Sequence, residues 1–306
     1  MTARVARRFY LENKSKIEIA DELGMSRFRV ARLLDAARRD GLVKIEINAP
    51  DRVDVQLCED LQRRFMLQHA IVIDVPEDDP IMLRRMLGRM AGDVLRDTVT
   101  DGDVLGLAWA RSLKSMYREV GRLAPCPVVQ LTGALEDPDG SDIIDGVRRV
   151  ARAGGGTPHV FYAPLVTPDL ASARVVRRQP DVSRAMELAR TVTVAVVGIG
   201  AWRAGLSTVF DHVEDRARRE ASSLGTIGEI SGAFIDAQGR PVASPLSKRV
   251  IGLTSDTLSA IRTVLGVAYG PGKAPVVAAA VRAGLVNSLV THSALARALL
   301  DETEAP

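Results

Sequence analysis

Apolar residues recur every three or four positions through the N-terminal part of the chain, and this spacing predicts three short helices. The first helix is expected over 2–13 and the second over 16–23. Gly24 supplies a turn after the second helix, because glycine accepts the positive φ of a tight turn. Ser26 is placed to cap a third helix, which continues to Arg39.

A strand and a connecting helix are expected next. Residues 42–48 alternate apolar and charged side chains, as a half-exposed strand does, and Ala49-Pro50 marks a boundary. Apolar residues then follow at regular steps over 53–65, which predicts a helix with a narrow apolar seam. This seam must pack either on its own domain or on a partner chain. Its members are Val53, Leu57, Leu61 and Phe65.

Beyond residue 65, short apolar runs alternate with helical patterns, of which 83–95 and 276–283 are two examples. Strands that alternate with helices favour a mostly parallel sheet with helices on both faces. The sequence therefore predicts an α/β fold for this part of the chain. The expected strands are 70–75, 104–108, 128–131, 159–163, 192–199, 264–268 and 288–290.

Composition is typical of a globular protein with a full-sized core. Of 306 residues, 46% are apolar and only 4% are aromatic, and the formal net charge is +3. The length suits two domains of roughly 150 residues each. The longest apolar stretch, 191–202, is much shorter than a membrane-spanning helix, which needs about twenty residues. No signal-peptide pattern develops at the N-terminus, so we expect a cytoplasmic protein without a membrane partner.

The basic excess is confined to residues 1–50. They hold 11 Lys and Arg against 7 Asp and Glu, whereas the remainder holds 30 against 31. Such an asymmetry is typical of a nucleic-acid-binding arm or domain. Cys58 and Cys126 are too few for a disulfide framework, and neither has a partner at metal-ligand spacing. We therefore expect both cysteines in the core and no metal site.

Residues 16–34 match the spacing of a helix-turn-helix. Small Ala20 lets two helices cross closely, Gly24 accepts the turn, and Val30 fills the wedge between the helices. An ordinary helical hairpin needs the same core, but it has no reason to expose arginines beside Ser26. If the third helix enters the major groove of DNA, its N-terminal residues reach the base edges. The candidates for DNA contact are Ser26, Arg27, Phe28, Arg29 and Arg32.

These candidates have different expected roles, and for each of them a merely solvated position stays an alternative. An arginine can pair bidentately with guanine, and Phe28 can touch a thymine methyl group. Arg29 is better suited to a phosphate contact. Lys44, on the predicted strand, is a candidate wing residue near the DNA backbone. Further candidates for phosphate contact are Lys14, Lys16 and Arg38.

Three of the predicted strands end in loops suited to an anionic ligand. In open α/β sheets, ligands bind beyond the carboxyl ends of the strands, where loops and helix starts present free backbone N–H groups. One glycine-rich loop can serve close packing alone, but three in one sheet favour a small-molecule site. The candidate residues in these loops are Trp109, Ala110, Arg111, Ser112, Thr132, Gly133, Gly198 and Gly200.

Two charged residues further along the chain are candidates for the same site. Glu229 lies between Gly228 and Gly232, and Lys273 opens a helix. A lysine at a helix start opposes the helix dipole, so it either meets an anion or points to water. A buried Glu229 needs a partner, whereas an exposed one does not. Spacing leaves these alternatives open.

Five segments together carry a specific resemblance. They are Ser26-Arg-Phe-Arg-Val-Ala-Arg-Leu-Leu34, Val196-Val-Gly-Ile-Gly200, Gly228-Glu-Ile-Ser-Gly-Ala-Phe-Ile-Asp-Ala-Gln-Gly239, Arg249-Val-Ile-Gly252 and Gly284-Leu-Val-Asn-Ser-Leu-Val-Thr291. With these segments, the chain resembles the SorC family of sugar-binding bacterial transcriptional regulators over nearly its whole length.

The resemblance implies an N-terminal helix-turn-helix domain, residues 1–50. It implies that residues 51–306 form a Rossmann-like, sugar-phosphate isomerase/deaminase-like domain for effector binding and oligomerisation. The implied partners are double-stranded operator DNA, a phosphorylated sugar effector and further copies of the chain, as a dimer or a tetramer. By position, the phosphate would lie on the helix start at 109–112, while Glu229 and Lys273 would hold sugar hydroxyls or a second charge. We expect no cofactor.

The first effector loop departs from the family pattern. Ala108 stands where Ser or Gly is usual, and Ala110 replaces a glycine, which restricts how closely the backbone approaches a phosphate. Arg111 adds bulk and charge. Glu229 replaces the commoner Asp. These changes concern the effector and leave the regulator interpretation intact.

Two other classes of function compete with that of a regulator. A sugar-phosphate isomerase or deaminase fused to a DNA-binding domain needs a base poised against the substrate carbon. The four histidines are scattered along the sequence, and Glu229 is the remaining candidate for such a base. A DNA-bound architectural protein does not need so large a sheet domain. We therefore expect a regulator that is not an enzyme.

Overall fold

The structure, a computed structural model, describes residues 1–43, 53–75, 79–135 and 143–302. The chain divides into two compact units, Met1–Pro50 and Asp51–Pro306. The strand predicted over 42–48 falls outside the described residues from position 44 onwards, and so does its Lys44.

Three helices form the described part of the N-terminal unit, residues 1–43, and several of their boundaries have a local cause. Ser15 caps the second helix and forms a capping box with Glu18. Gly24 ends that helix in the left-handed conformation, with φ of 59°. Ser26 caps the third helix, where its Oγ accepts a hydrogen bond from the backbone N of Arg29 at 3.3 Å. The helices are α1 (Thr2–Tyr10), α2 (Lys16–Leu23) and α3 (Arg27–Arg39).

The core of this unit lies where the three helices meet. Val5 of α1, Ile19 of α2 and Val30 of α3 are fully buried. Ala20 is buried beside them, and its small side chain permits the close approach of α2 and α3.

A nine-stranded sheet forms the centre of the described part of the larger unit. Its strands are β1 (His69–Ile73), β2 (Leu105–Leu107), β3 (Val128–Gln130), β4 (Pro158–His159), β5 (Val194–Ala201), β6 (Gly228–Ile230), β7 (Ala233–Ile235), β8 (Thr263–Val267) and β9 (Ser288–His292). Seven strands run parallel in the order β1-β9-β8-β5-β2-β3-β4. The predicted parallel α/β architecture is confirmed.

Two details of the sheet differ from the prediction. The strand expected over 159–163 is reduced to the two residues of β4. The glycine-rich segment that follows residue 227 forms the antiparallel pair β6 and β7, and β6 pairs with the end of β5.

Helices cover both faces of the sheet and create two apolar cores. Val194 and Val196 of β5 belong to one core, while Ala195 and Val197 belong to the other, as the alternation of a strand requires. The helices are α4 (Val55–Phe65), α5 (Pro80–Thr98), α6 (Lys114–Glu119), α7 (Ile143–Gly154), α8 (Leu170–Arg177), α9 (Pro180–Ala189), α10 (Thr208–His212), α11 (Asp215–Ser223), α12 (Ser255–Ser259), α13 (Ala274–Arg282) and α14 (Ser293–Asp301). Across the described ranges, no helix has both the length and the apolar character needed to cross a membrane.

Three of the four residues of the apolar seam predicted over 53–65 pack on their own unit, whereas Val53 precedes α4 and is exposed. Leu61 of α4 is fully buried, and Leu57 and Phe65 pack partly buried against the same core. Cys58 on this helix and Cys126 before β3 are buried, free cysteines.

The strand order creates a crevice between β2 and β5. After β2, the next parallel strand, β3, lies towards one edge of the sheet. After β5, the next parallel strand, β8, lies towards the opposite edge. Loops that leave neighbouring strands in opposite directions leave room above the carboxyl ends of those strands. This position is therefore where the fold offers a ligand site.

Candidate functional site

A cavity of about 130 Å³ lies at the crevice between β2 and β5. Loops after β2, β5 and β8 line it, together with residues of β6 and the turn that follows. The structure brings eight of the ten predicted effector residues to this cavity: Trp109, Ala110, Arg111, Ser112, Gly198, Gly200, Glu229 and Lys273.

The other two predicted residues, Thr132 and Gly133, do not line the cavity. Thr132 is fully buried, and its Oγ1 accepts a hydrogen bond from the backbone N of Trp109 at 2.8 Å. Gly133 packs so closely that an added Cβ would lie 2.3 Å from the carbonyl oxygen of Pro164. Thr132 thus supports the loop after β2, and Gly133 packs against Pro164. A direct effector contact by either residue stays a prediction.

The loop after β2 is held firmly at the cavity wall. It leads into a short 3-10 helix, Arg111–Leu113, and then into α6. The Oγ of Ser112 donates a hydrogen bond to the carbonyl of Val267 in β8 at 3.3 Å. The hydroxyl of Tyr117 donates to the carbonyl of Ala108. These bonds fix the backbone of the loop in place.

Two positions of β5 require glycine, because neighbouring groups approach the strand closely there. A Cβ on Gly198 would lie 2.5 Å from the Cβ of Ala110. A Cβ on Gly200 would lie 2.2 Å from Oε1 of Glu229. Real Cβ atoms do not tolerate such distances, so glycine at these positions is what allows the loop and the carboxylate to reach β5.

Glu229 is placed in the cavity by the antiparallel pairing of β6 with β5, which sets it opposite Gly200. It is 7% exposed. Its Oε1 accepts a hydrogen bond from Oγ of Ser207 at 3.0 Å, and its Oε2 accepts one from the backbone N of Gly232 at 2.8 Å. Burial raises the pKa of this carboxyl, and the two hydrogen bonds and the charge of Lys273 offset that only in part.

Lys273 precedes α13 and directs its ammonium group inwards. Its Nζ donates a hydrogen bond to the carbonyl of Ile199 at 2.7 Å and lies 5.2 Å from the centre of the Tyr269 ring. Desolvation lowers the pKa of Lys273 to about 8; the carboxylate of Glu229 acts to raise it, and the charge of Arg111 acts to lower it. The group is therefore charged at neutral pH. Of the two alternatives left by the sequence, pointing to water does not apply, because the ammonium group donates to a carbonyl of β5. An anion as its further partner stays a prediction.

Arg111 is the second cation of the cavity lining. Its Nε donates a hydrogen bond to Oγ1 of Thr208 at 3.0 Å. Its guanidinium lies 3.6 Å from the carboxylate of Asp211. The lining thus combines two cations with one buried carboxylate.

Sequence reasoning missed four polar residues of the lining: Ser207, Thr208, Ser231 and Tyr269. Ser207 caps α10. In the sequence, a serine shortly after a glycine is only a weak signal for a helix start. Ser231 adopts a φ of 49° in the turn between β6 and β7, and its Oγ accepts a hydrogen bond from the backbone N of Gly198 at 3.1 Å. The fold alone brings these side chains to the cavity.

This arrangement suits a small polar anion. Ammonium and guanidinium groups bind phosphate oxygens through charge-assisted hydrogen bonds. The carboxylate of Glu229 has lone pairs left that can accept hydrogen bonds from hydroxyl groups. In the part of the chain that the structure describes, no group of three or more His, Cys, Asp or Glu side chains is placed to hold a metal ion.

The candidates for DNA contact are exposed at the cap and in the N-terminal half of α3. Phe28 is 66% exposed, and the guanidinium of Arg27 lies 4.9 Å from the centre of its ring. An exposed aromatic side chain beside basic residues is typical of a surface that binds a partner. The residues exposed here are Ser26, Arg27, Phe28, Arg29 and Arg32.

Comparison with known proteins gives a consistent result. Residues 52–301 match the family described as "Putative sugar-binding domain". The transcriptional regulator LsrR of Klebsiella pneumoniae subsp. pneumoniae is 29% identical over 304 residues, which cover 98% of this chain and 92% of that protein. LsrR of Escherichia coli strain K12 is 28% identical over 302 residues, which cover 97% and 93%.

The fold is similar to the crystal structure of the full-length sorbitol operon regulator SorC from Klebsiella pneumoniae. The TM-score is 0.74 at 22% identity, and the match covers 98% of each chain. The relatives are named as transcriptional regulators, which agrees with the expectation that this protein is not an enzyme. This chain belongs to the sugar-binding domain family of SorC-type transcriptional regulators.

Proposed function

We propose that the protein is a DNA-binding transcriptional regulator whose affinity for its operator is changed by a phosphorylated sugar. The observation that carries this proposal is the cavity between β2 and β5, where Lys273 and Arg111 line the same space as the buried carboxylate of Glu229. Membership of a sugar-binding family supports a carbohydrate ligand.

The cavity offers the effector two kinds of contact. Its phosphate binds to Lys273, Arg111 and the helix start at 109–112, where the backbone N–H groups that follow Trp109 add hydrogen bonds. Its hydroxyl groups donate hydrogen bonds to Glu229. A phosphorylated sugar satisfies both kinds of contact, whereas a neutral sugar brings no anionic group to the two cations of the lining.

Residues 1–50 act as the DNA-binding domain in this proposal, and residues 51–306 bind the effector and form the oligomer. The left-handed Gly24 between α2 and α3 and the buried Ala20 support a helix-turn-helix. Arg27 and Arg32 contact base edges in the major groove, and Arg29 contacts phosphate. Dimers then bind half-sites spaced by whole turns of the DNA helix.

The two sites are coupled reciprocally. An effector that weakens binding to the operator must itself bind less tightly when the operator is present, because the coupling free energy is shared by both equilibria. The effector acts by changing the relative placement of the DNA-reading helices within the oligomer.

A gel-mobility experiment with the full chain tests the proposal. The DNA is taken from immediately upstream of the protein's own gene, and each of a panel of sugar phosphates is compared with its unphosphorylated parent. We expect a specific shift that one sugar phosphate alters and its parent does not. Lys273→Ala should keep the shift and lose the response, and a shift indifferent to every sugar phosphate would contradict the effector half of the proposal.

A second experiment tests whether α3 contacts base edges of the operator. Arg27→Ala should lower discrimination at one base pair of the operator by about 1–3 kcal/mol, because it removes a contact with a base edge. Arg38→Ala is the matched control, since Arg38 lies near the far end of α3 and pairs with Asp35. Binding to operators with single base changes measures the difference, and an unchanged base preference in Arg27→Ala would exclude this role.

A further inference from the structure

A short segment forms one wall of the cavity and is held there from two sides. Residues 205–209 line the cavity and lead into α10. From the inside, the carboxylate of Glu229 accepts a hydrogen bond from Ser207. From the outside, Arg111 contacts Thr208 and Asp211.

The outer contact is weaker than the inner one. The Arg111 guanidinium and the Asp211 carboxylate are 3.6 Å apart, an ion pair longer than a good hydrogen bond, and their side chains are 42% and 37% exposed. Water screens such a pair, so it contributes little to stability. The Asp211 carboxylate also accepts a hydrogen bond from the backbone N of Gly205 at 2.9 Å, which fixes the loop before α10.

The same guanidinium belongs to the lining of the cavity. Arg111 and Lys273 are the cations of the described lining, and the charge of Arg111 is felt at Lys273. A phosphate in this space offers Arg111 a bidentate, charge-assisted contact that is shorter and stronger than its present one with Asp211. The five donors of a guanidinium lie in one plane with fixed directions, so turning the fork towards the phosphate moves the donors that are now directed at Thr208 and Asp211.

We propose that Arg111 is a positioning residue that exchanges partners. Without effector it holds α10, and when the effector binds it contacts an anionic group of the effector instead. The guanidinium has two alternative partners. One is the pair Thr208 and Asp211, which holds α10 against the loop after β2. The other is the effector's anion, which draws Arg111 into the cavity and releases α10. The inference rests on the proposed function, because it takes the effector to be anionic.

A movement of α10 after its release would affect α11. Arg218 of α11 donates hydrogen bonds to the carbonyls of Phe210 at 2.7 Å and Asp211 at 3.0 Å. The Phe210 ring packs edge-on against Trp202, with centroids 5.1 Å apart. A change at α10 therefore reaches α11 through bonds that are already in place, and this is where the structural response is expected.

Competition for one guanidinium predicts opposite effects of two substitutions. Asp211→Asn removes the competing charge and keeps an oxygen for Gly205, so the affinity for an anion should rise about twofold to fivefold, the range of a partly exposed ion pair. Arg111→Gln removes the cation, and the affinity should fall about tenfold. Asp215→Asn is the matched control, because Asp215 pairs with Arg218 and not with Arg111.

The probe is inorganic phosphate, titrated into the full chain by calorimetry against sodium chloride of equal ionic strength. Thr208→Val, which removes the hydroxyl acceptor at nearly constant volume, should act in the same direction as Asp211→Asn and covers the case that one variant fails to fold. Hydrogen exchange of the amides in 205–212 gives a second readout, and phosphate should accelerate it.

Tighter phosphate binding by Asp211→Asn, with Asp215→Asn unchanged, would support the exchange of partners. Equal or weaker binding by Asp211→Asn would overturn it, and so would slower hydrogen exchange over 205–212 with phosphate. No phosphate binding by the wild type and Asp211→Asn at tens of millimolar would overturn it too. Failure of the proposed function is distinguishable, because DNA binding would then ignore sugar phosphates while phosphate still released α10.

Discussion

Two buried carboxylates differ in how their hydrogen-bonding capacity is satisfied. They lie at opposite edges of the sheet, one at the amino ends and one at the carboxyl ends of the parallel strands. Asp103 precedes β2 at the amino edge and is 2% exposed. It accepts hydrogen bonds from Thr193 at 2.7 Å, from Arg262 at 2.8 Å and from both the backbone N and the hydroxyl of Thr100. Glu229, at the carboxyl edge, accepts two hydrogen bonds and faces a cavity.

The pKa values of the two groups move in opposite directions. Burial acts to raise both of them. At Asp103, the hydrogen bonds from Thr193 and Thr100 and the charge of Arg262 more than offset burial, so the pKa is lowered. At Glu229, burial prevails and the pKa is raised. A buried acid whose acceptors are all used thus ties strands together, whereas one with free acceptor capacity beside a cavity can bind a ligand.

The largest expected effect is on stability at the amino edge. Asp103→Ala should lower the free energy of unfolding by about 3 kcal/mol, because it removes a buried carboxylate that accepts hydrogen bonds from Thr193, Arg262 and both donors of Thr100. Urea denaturation of the full chain measures it, with sugar-phosphate affinity as the contrast, which should not change. Because the folded-state pKa is lowered, the contribution of Asp103 is present at neutral pH. It is lost as the pH falls below about 3.9, the ordinary value for Asp, towards the lowered one.

The next effect is on binding at the carboxyl edge. Glu229→Gln keeps the shape of the side chain and removes a costly buried charge, so the free energy of unfolding should change by less than about 1 kcal/mol. Affinity for the sugar phosphate should fall by about 2 kcal/mol, since the charged acceptor for the hydroxyl groups is lost. Titration calorimetry and urea denaturation of the same variant separate the two. A large loss of stability with unchanged affinity would place Glu229 in the same class as Asp103.

The smallest effect is the pH dependence of effector affinity. With the pKa of Lys273 lowered to about 8, the ammonium group loses its proton as the pH rises through that value. Affinity for an anionic effector should fall about tenfold between pH 7 and pH 9, as the charged fraction falls. Lys273→Arg should remove this dependence, because arginine stays charged throughout the range. A wild-type affinity that is flat from pH 7 to pH 9 would show that the charge of Lys273 is not needed.

The parallel strands were predictable because buried strands form continuous apolar runs. The run over 192–199 became β5, Val194–Ala201, and the runs around it became its neighbours. The pair β6 and β7 was missed because strands of three residues with glycines beside them show no usable period.

The candidate site was predictable in its loops and not in all its residues. Gly198 and Gly133 carry the same signal in the sequence, but only Gly198 faces the cavity, and Gly133 serves close packing against Pro164. Ser207 was missed because it reaches Glu229 from a loop that shows no chemical motif of its own. The direct effector role of Trp109, Ala110, Arg111, Ser112 and the other lining residues stays a prediction.

The sequence by itself determined the helices of the N-terminal unit, the alternation of strands and helices, and the family. These follow from local spacing, since burial of one face of a helix or strand repeats every few residues. Only the tertiary structure decided which polar and charged groups meet. Arg111 and Thr208 are 97 positions apart, and Asp103 and Arg262 are 159 apart. Desolvation and pairing depend on every group around a side chain, and the order of strands in the sheet sets those groups.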